Sequence, residues 1–221
     1  MSAALVANVL YQNGAGGGTT PSRDTTGATL IVICIGKYNN GYTSPPTDNK
    51  SNTYTPLTLR GSGNYLTRIY YCANPNVGTG HTWSYPASGD YPTLSVTAWS
   101  GVATSSPLDG ENGAASEVTG NVTPSQTHDL AVTAYCNDGS SPSAGGSFTT
   151  LHTQDYSGSS VGFGMGYIAD YNSVSALSCT WSANGVANDS SAIAIFKSGV
   201  AATPIEKEAT DDLFNAKFEI P

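Results

Sequence analysis

The chain has 221 residues, with 8 Lys and Arg against 16 Asp and Glu and a formal net charge of −8, a balance that excludes the clustered cationic surface a nucleic-acid site needs. Only 11% of its residues are charged, while 25 Gly, 12 Pro and 13 Tyr stand among abundant Ser, Thr and Asn, the composition of short strands joined by many turns. No run approaches the roughly 18 to 20 apolar residues of a membrane span, and a chain of this length buries roughly 70% of its unfolded surface without needing a metal or disulfide staple.

The opening MSAALVANVL lacks a basic start and a cleavage site, so a signal peptide is not expected. Residues 3–12 read as a first strand and NGAGGGTTPSRD as loop. ATLIVICIGKY, residues 28–38, is apolar at nearly every position, which predicts a central strand covered on both faces. Pro45 and Pro46 break the pattern, and residues 53–59 resume as strand. The densest stretch, residues 65–101, predicts strands over 65–73 and 93–99, with a shorter piece at 81–85 between two turns; Leu94, Val96 and Ala98 face a core.

A polar connection follows, with an edge strand expected around 116–122. Residues 129–136 alternate cleanly, and 147–151 form a short strand. In VGFGMGY, Val161, Phe163, Met165 and Tyr167 share one face, while Gly162, Gly164 and Gly166 leave the other bare for a ring to lie flat on the sheet. Residues 175–181 and 191–197 complete about 10–12 strands. The expected fold is all-β, an antiparallel jelly-roll-like β-sandwich over residues 1–199. Residues 200–221 (VAATPIEKEATDDLFNAKFEIP) change character: they are charged, with apolar anchors at Leu213, Phe214 and Phe218, and read as a C-terminal arm.

The candidate chemistry is thin. Cys34, Cys72, Cys136 and Cys179 have no CxxC spacing, against a zinc site, and fall in strands; buried free thiols are the favoured reading, one or two disulfides the other. Gly158, Ser160 and Gly162 match G-x-S-x-G, but a strand rather than a helix follows, so no nucleophile elbow is expected. His81, His128 and His152 are read as surface or turn residues, and the acids Asp48, Asp90, Asp109, Glu111, Asp138 and Asp155 as turn formers, with a structural Ca²⁺ among loop oxygens as the alternative. No catalytic residue, cofactor or metal site is assigned. Trp83, Tyr85, Tyr91 and Trp99 form the best candidate binding surface, since flat rings stack on sugars and anchor interfaces; Trp99 alternates away from Leu94, Val96 and Ala98, which leaves it available.

The segments DTTGATLIVICI, SNTYTPLTL, RIYYCANPNVGTGHTW, YPTLSVTAWSG and SSAIAIFK together resemble a poorly characterised β-sandwich family of bacteriophage virion proteins and bacterial surface proteins, over about residues 3–198. That resemblance implies a non-enzymatic structural or adhesive role. The expectation is an exposed virion component, a capsid decoration protein or a head or tail fibre, held by its termini to neighbouring chains. Its partners would be copies of itself and other virion structural proteins. The alternative is an extracellular carbohydrate-binding module or adhesin that reads a host surface glycan through the aromatic cluster.

Overall fold

The computed structural model describes residues 2–12, 16–39, 44–61, 63–88, 91–138, 141–155, 161–183 and 188–199. The first half of the chain supplies strands β1 (Ala4–Gln12), β2 (Gly16–Thr19), β3 (Leu30–Tyr38), β4 (Thr47–Asp48), β5 (Thr55–Pro56), β6 (Tyr65–Ala73), β7 (Trp83–Ser88) and β8 (Thr93–Ser100). The second supplies β9 (Leu108–Ala114), β10 (Asp129–Asp138), β11 (Ser143–Ala144), β12 (Thr149–Gln154), β13 (Val161–Tyr171), β14 (Trp181–Ser182) and β15 (Ser190–Phe196). No helix occurs among the described residues, and the fold is all-β, as expected.

Two five-stranded antiparallel sheets form the body, in the orders β1-β8-β3-β6-β5 and β9-β15-β10-β13-β12. In place of a jelly-roll-like path that trades strands between sheets, each sheet is completed by one half of the chain. The two orders are one pattern used twice: the first strand lies beside the last, then come the second and third, and a short strand flanks the outside. Each half then adds a small cover. The sheet β2-β7-β4 lies over the first, and the pair β11-β14 over the second. Thr82-Trp83-Ser84 recurs as Thr180-Trp181-Ser182, and Ser100-Gly101-Val102 as Ser198-Gly199-Val200, at the same spacing. The halves are a tandem repeat.

The cores follow from the pleat. Along β3, Leu30, Val32 and Cys34 point between the two main sheets, where they meet Ile69, Trp99, Leu130, Val132, Ala134, Phe163, Met165 and Phe196. The alternate residues Ile31, Ile33 and Ile35 point outward and are sealed by Tyr54, Trp83 and Tyr85. The outward face of the second sheet, with Ala131, Tyr135, Ile193 and Ile195, is sealed by Phe148, Cys179 and Trp181. Side chains on both faces of the central strands are therefore buried, each fully buried large aliphatic contributing about 1.5–3 kcal/mol. The near-continuous apolar run of β3 has this cause. The glycine stripe of β13 also packs as the sequence suggests, because a Cβ on Gly164 would stand 2.5 Å from the Trp181 ring.

Several expected elements differ. The strand expected over 53–59 shrinks to β5, whose Pro56 has no N–H for a ladder. The polar connection contains a full strand, β9, whose LDGENGA has no strand-like composition and is held by pairing with β15. Around 116–122 there are only isolated bridges, Val118 to Thr180 and Val122 to Leu177. Residues 175–181 likewise reduce to such bridges and to β14.

Candidate functional site

The proposed aromatic surface is taken apart by the fold. Trp99 is fully buried in the core between the main sheets, its ring edge-on to Tyr167 at 5.0 Å and its Nε1 donating to Thr97 Oγ1 at 2.8 Å. It does alternate away from Leu94, Val96 and Ala98, but both faces of β8 are covered. The small hydroxyl residues Thr93, Ser95 and Thr97, which look solvent-facing in the sequence, are buried with it. Trp83 and Tyr85 are buried on the opposite side of that sheet. Tyr91 is half-buried and packs with Tyr65, Cys136 and Val161. The four rings thus serve three separate clusters and present no common stacking face.

The densest polar constellation lies around His81, which is fully buried and stacks on Trp83 at 4.2 Å. Its Nε2 lies 2.9 Å from Asp48 Oδ2 and its Nδ1 lies 2.9 Å from Thr25 Oγ1. Asp48 also accepts bonds from the Lys50 and Asn52 amides, Asn52 Nδ2 and the Tyr54 hydroxyl. Trp83 Nε1 in turn donates to Tyr54 Oη at 2.8 Å. Burial pushes the Asp48 carboxyl up, but the bonds from His81, Tyr54 and Asn52 outweigh it and hold the group well below the usual carboxylate range.

A hydroxyl, an imidazole and a carboxylate in a row resemble nucleophilic machinery. Here, however, Thr25 is fully buried and its hydroxyl is shared with the backbone of Gly78, so no substrate carbonyl could reach it. The arrangement is a clasp. It ties the turn after β4 to the segment before β3 and to the residues that lead into β7, and so fixes the outer cover over the first sheet. The Asx-turn role expected of Asp48 is borne out, whereas the surface position expected of His81 is not.

His152, also expected at the surface, instead bridges the two main sheets from β12. Its Nε2 faces Asn8 Oδ1 at 3.1 Å, which can only accept, so Nε2 carries the proton and Nδ1 accepts from Ser95 Oγ at 2.7 Å. Burial and the positive charge of Arg23 lower its pKa to about 4, and the ring is neutral at physiological pH. His128 is exposed as expected, 2.8 Å from Asp170. At the opposite edge of the sandwich Glu111, expected in a turn but placed on β9, accepts from Thr58 N and Oγ1 and lies 3.8 Å from Arg60.

One open groove is described, on the cover of the first sheet. It has a volume of about 560 Å³ and is lined by Gly18, Thr19, Ser44, Pro45, Thr47, Ser84 and Tyr85. Its wall is mostly apolar, with the hydroxyl residues Thr19, Ser44, Thr47 and Ser84 set into it, a lining for an uncharged ligand. Its polar lining comes from single Ser and Thr residues, Thr19 on β2, Ser44 in the turn before β4, Thr47 on β4 and Ser84 on β7, and no spacing in the sequence announces it.

All four cysteines are buried free thiols, as favoured from the sequence, and each belongs to a different apolar cluster. Burial raises every thiol pKa, that of Cys136 to about 12. Among the described residues no group of three or more His, Cys, Asp or Glu is placed to hold a metal ion. Gly158 and Ser160 of the G-x-S-x-G match lie outside the described residues, as do Asp90 and the arm residues Leu213, Phe214 and Phe218. No family model, curated protein or solved structure matches the chain.

Proposed function

We propose that the protein is a non-enzymatic structural component of a bacteriophage virion, an exposed accessory part such as a capsid decoration protein or a head or tail fibre, assembled as a homo-oligomer and attached through its terminal segments. The observation that carries this reading is the placement of the four thiols, one in each apolar cluster and none bonded to another. Such a core suits folding in a reducing cytoplasm, where virions are built, better than the oxidising space that a secreted adhesin passes through. The titratable side chains nearest to a catalytic pattern are consumed in internal bonds, which also favours a building block over an enzyme.

Attachment falls to residues 200–221, whose anchors Leu213, Phe214 and Phe218 follow the end of the sandwich in the sequence. Deleting 204–221 should leave a folded monomer that neither oligomerises nor incorporates into particles; normal incorporation of the truncated chain overturns the arm. Genes for capsid and portal proteins beside this one support the virion reading, whereas flanking polysaccharide-degrading enzymes count against it.

A second reading, glycan binding, rests on the open groove, whose mostly apolar wall carries four hydroxyl residues, rather than on the buried rings. A glycan array with the wild type and Thr47→Arg, which fills the groove from an exposed position, tests it. Signal lost in the variant supports a sugar site, and a silent wild-type array removes it.

A further inference from the structure

The carboxyl of Asp129, at the start of β10, is fully buried. Its Oδ1 accepts from the Ser198 amide at 3.1 Å and from Gln126 Nε2 at 2.8 Å, while its Oδ2 is sealed from solvent with no donor. The group beside it is a second carboxyl, that of Asp109 on β9, within hydrogen-bonding reach. Asp109 is itself nearly buried and fully engaged. It accepts from Ser125 N at 2.5 Å and Ser125 Oγ at 2.6 Å, with Lys197 Nζ 3.6 Å away. Two carboxylates facing each other have no donor between them. A buried acceptor left without a donor beside a second carboxyl is costly, and one proton removes both the missing bond and the like-charge repulsion.

We propose that Asp129 and Asp109 share a proton, held as Asp129 Oδ2–H donating to the Asp109 carboxylate, and that this acid pair is a pH-sensitive clamp on the strand exit at Lys197 to Gly199. With the proton in place the pair and Lys197 are together neutral. Without it, a second negative charge sits in a closed site. The opposite displacements of the two groups agree with this: burial raises Asp129, while Asp109, although burial pushes it up as well, is brought down by the Ser125 bonds and Lys197. The other charged groups nearby, His128 and Asp170, are exposed and pair with each other. Tyr171, across the ladder from Asp129, gives its hydroxyl to Ser175 O.

The clamp acts where the chain leaves the sandwich. Ser198 is held by Asp129 through its amide and by Gln126 through its hydroxyl, and Gly199 N donates to Gly101 O at 2.7 Å; residues 200–221 continue from this point. The repeat shows that an acid is not needed merely to hold such a segment. Before β3 in the first half, Thr29 Oγ1 accepts the Val102 amide at 3.1 Å, two residues further along the exit than the Ser198 position would fall. A neutral hydroxyl holds the exit there, where the second half uses a titratable group. The inference concerns the body of the protein and does not depend on what the chain assembles with.

The test is a carboxyl ¹³C titration of the full-length protein. Asp129 should titrate above the ordinary aspartate value of about 3.9 and Asp109 below it. Exchange protection of the Ser198 and Gly199 amides should fall as Asp129 ionises, beyond the normal tenfold rise in intrinsic exchange per pH unit. Asp129→Asn, which copies the protonated acid with its amide as donor, should keep that protection at high pH. Asp109→Asn, which offers a donor to Asp129, should move the Asp129 titration down by one pH unit or more. An Asp129 that titrates at or below 3.9, or one unmoved by Asp109→Asn, overturns the shared proton; Ser198 protection that ignores the Asp129 titration overturns the clamp.

Discussion

The ring of Trp181 lies so close over Gly164 that a methyl group on that glycine would stand 2.5 Å from Cζ3, with Pro142 Cγ at 2.8 Å. The bare face of β13 is the seat of the indole, which also stacks on Tyr135 with ring centres 5.6 Å apart and donates from Nε1 to Thr133 Oγ1. Gly164→Val should therefore destabilise the fold by about 1–3 kcal/mol through overpacking, and Trp181→Ala by about 3–5 kcal/mol through the cavity it opens. Urea melts followed by tryptophan fluorescence and circular dichroism measure both. A neutral Gly164→Val would show that the cover lifts without cost.

The Asp48 clasp makes a second prediction. Its folded pKa is depressed, so its contribution is present above the unfolded value of about 3.9 and is lost as pH falls below that. Asp48→Ala strands His81 and the Tyr54 hydroxyl in a closed site and should cost about 3–5 kcal/mol. The variant's stability should also decline less steeply than that of the wild type below pH 4. Denaturation at stepped pH tests this, and parallel curves for the two proteins would contradict it.

His152 works in another pH window. Its folded pKa lies near 4, against about 6.5 when unfolded, so the unfolded chain binds the extra proton and stability falls as pH drops from about 6.5 toward 4. His152→Gln keeps a side-chain donor and acceptor without the charge, and should flatten the stability profile across that window. A profile as steep as that of the wild type would place the titrating group elsewhere.

The thiols should be inert. With every cysteine buried and raised in pKa, iodoacetamide at pH 8 should label none of Cys34, Cys72, Cys136 or Cys179 in the native protein and all four in denaturant. Intact mass spectrometry reads the count. A pair of cysteines that stays unlabelled in denaturant until a reductant is added would mean a disulfide, and would weaken the case for a reducing compartment.

Pattern was most legible where the pleat dictates it. The doubly buried β3, the alternation of β10 and the glycine face of β13 all follow from which side chains a two-faced strand must bury. Function was read less well for a related reason. On β8 the hydroxyls Thr93, Ser95 and Thr97 imitate a wet face and made Trp99 look free, yet all three are packed inside: Thr97 donates to the Val32 carbonyl, Ser95 pairs with His152, and Thr93 Oγ1 is buried without a partner. The repeat was not read from the sequence: its echoes, Thr-Trp-Ser and Ser-Gly-Val, are short and far apart, and only the matching strand orders of the two sheets bring it out. Neither Asp48 with His81 nor Asp109 with Asp129 could be paired from the chain alone, since each pair spans tens of residues and is joined only by the folding of the covers and sheet edges.

That each half of the chain finishes its own sheet has a consequence for synthesis on the ribosome. When Ser100 emerges, the first sheet has all its hydrogen-bonding strands and its outer cover, but Leu30, Val32, Cys34, Ile69 and Trp99 face nothing until residues 108–196 follow. The nascent half is a sticky plate in search of its mate. On a crowded polysome the nearest such plate belongs to the neighbouring chain, so entanglement by exchanged halves is the error this architecture invites, and a slower elongation rate across the second half would make it worse.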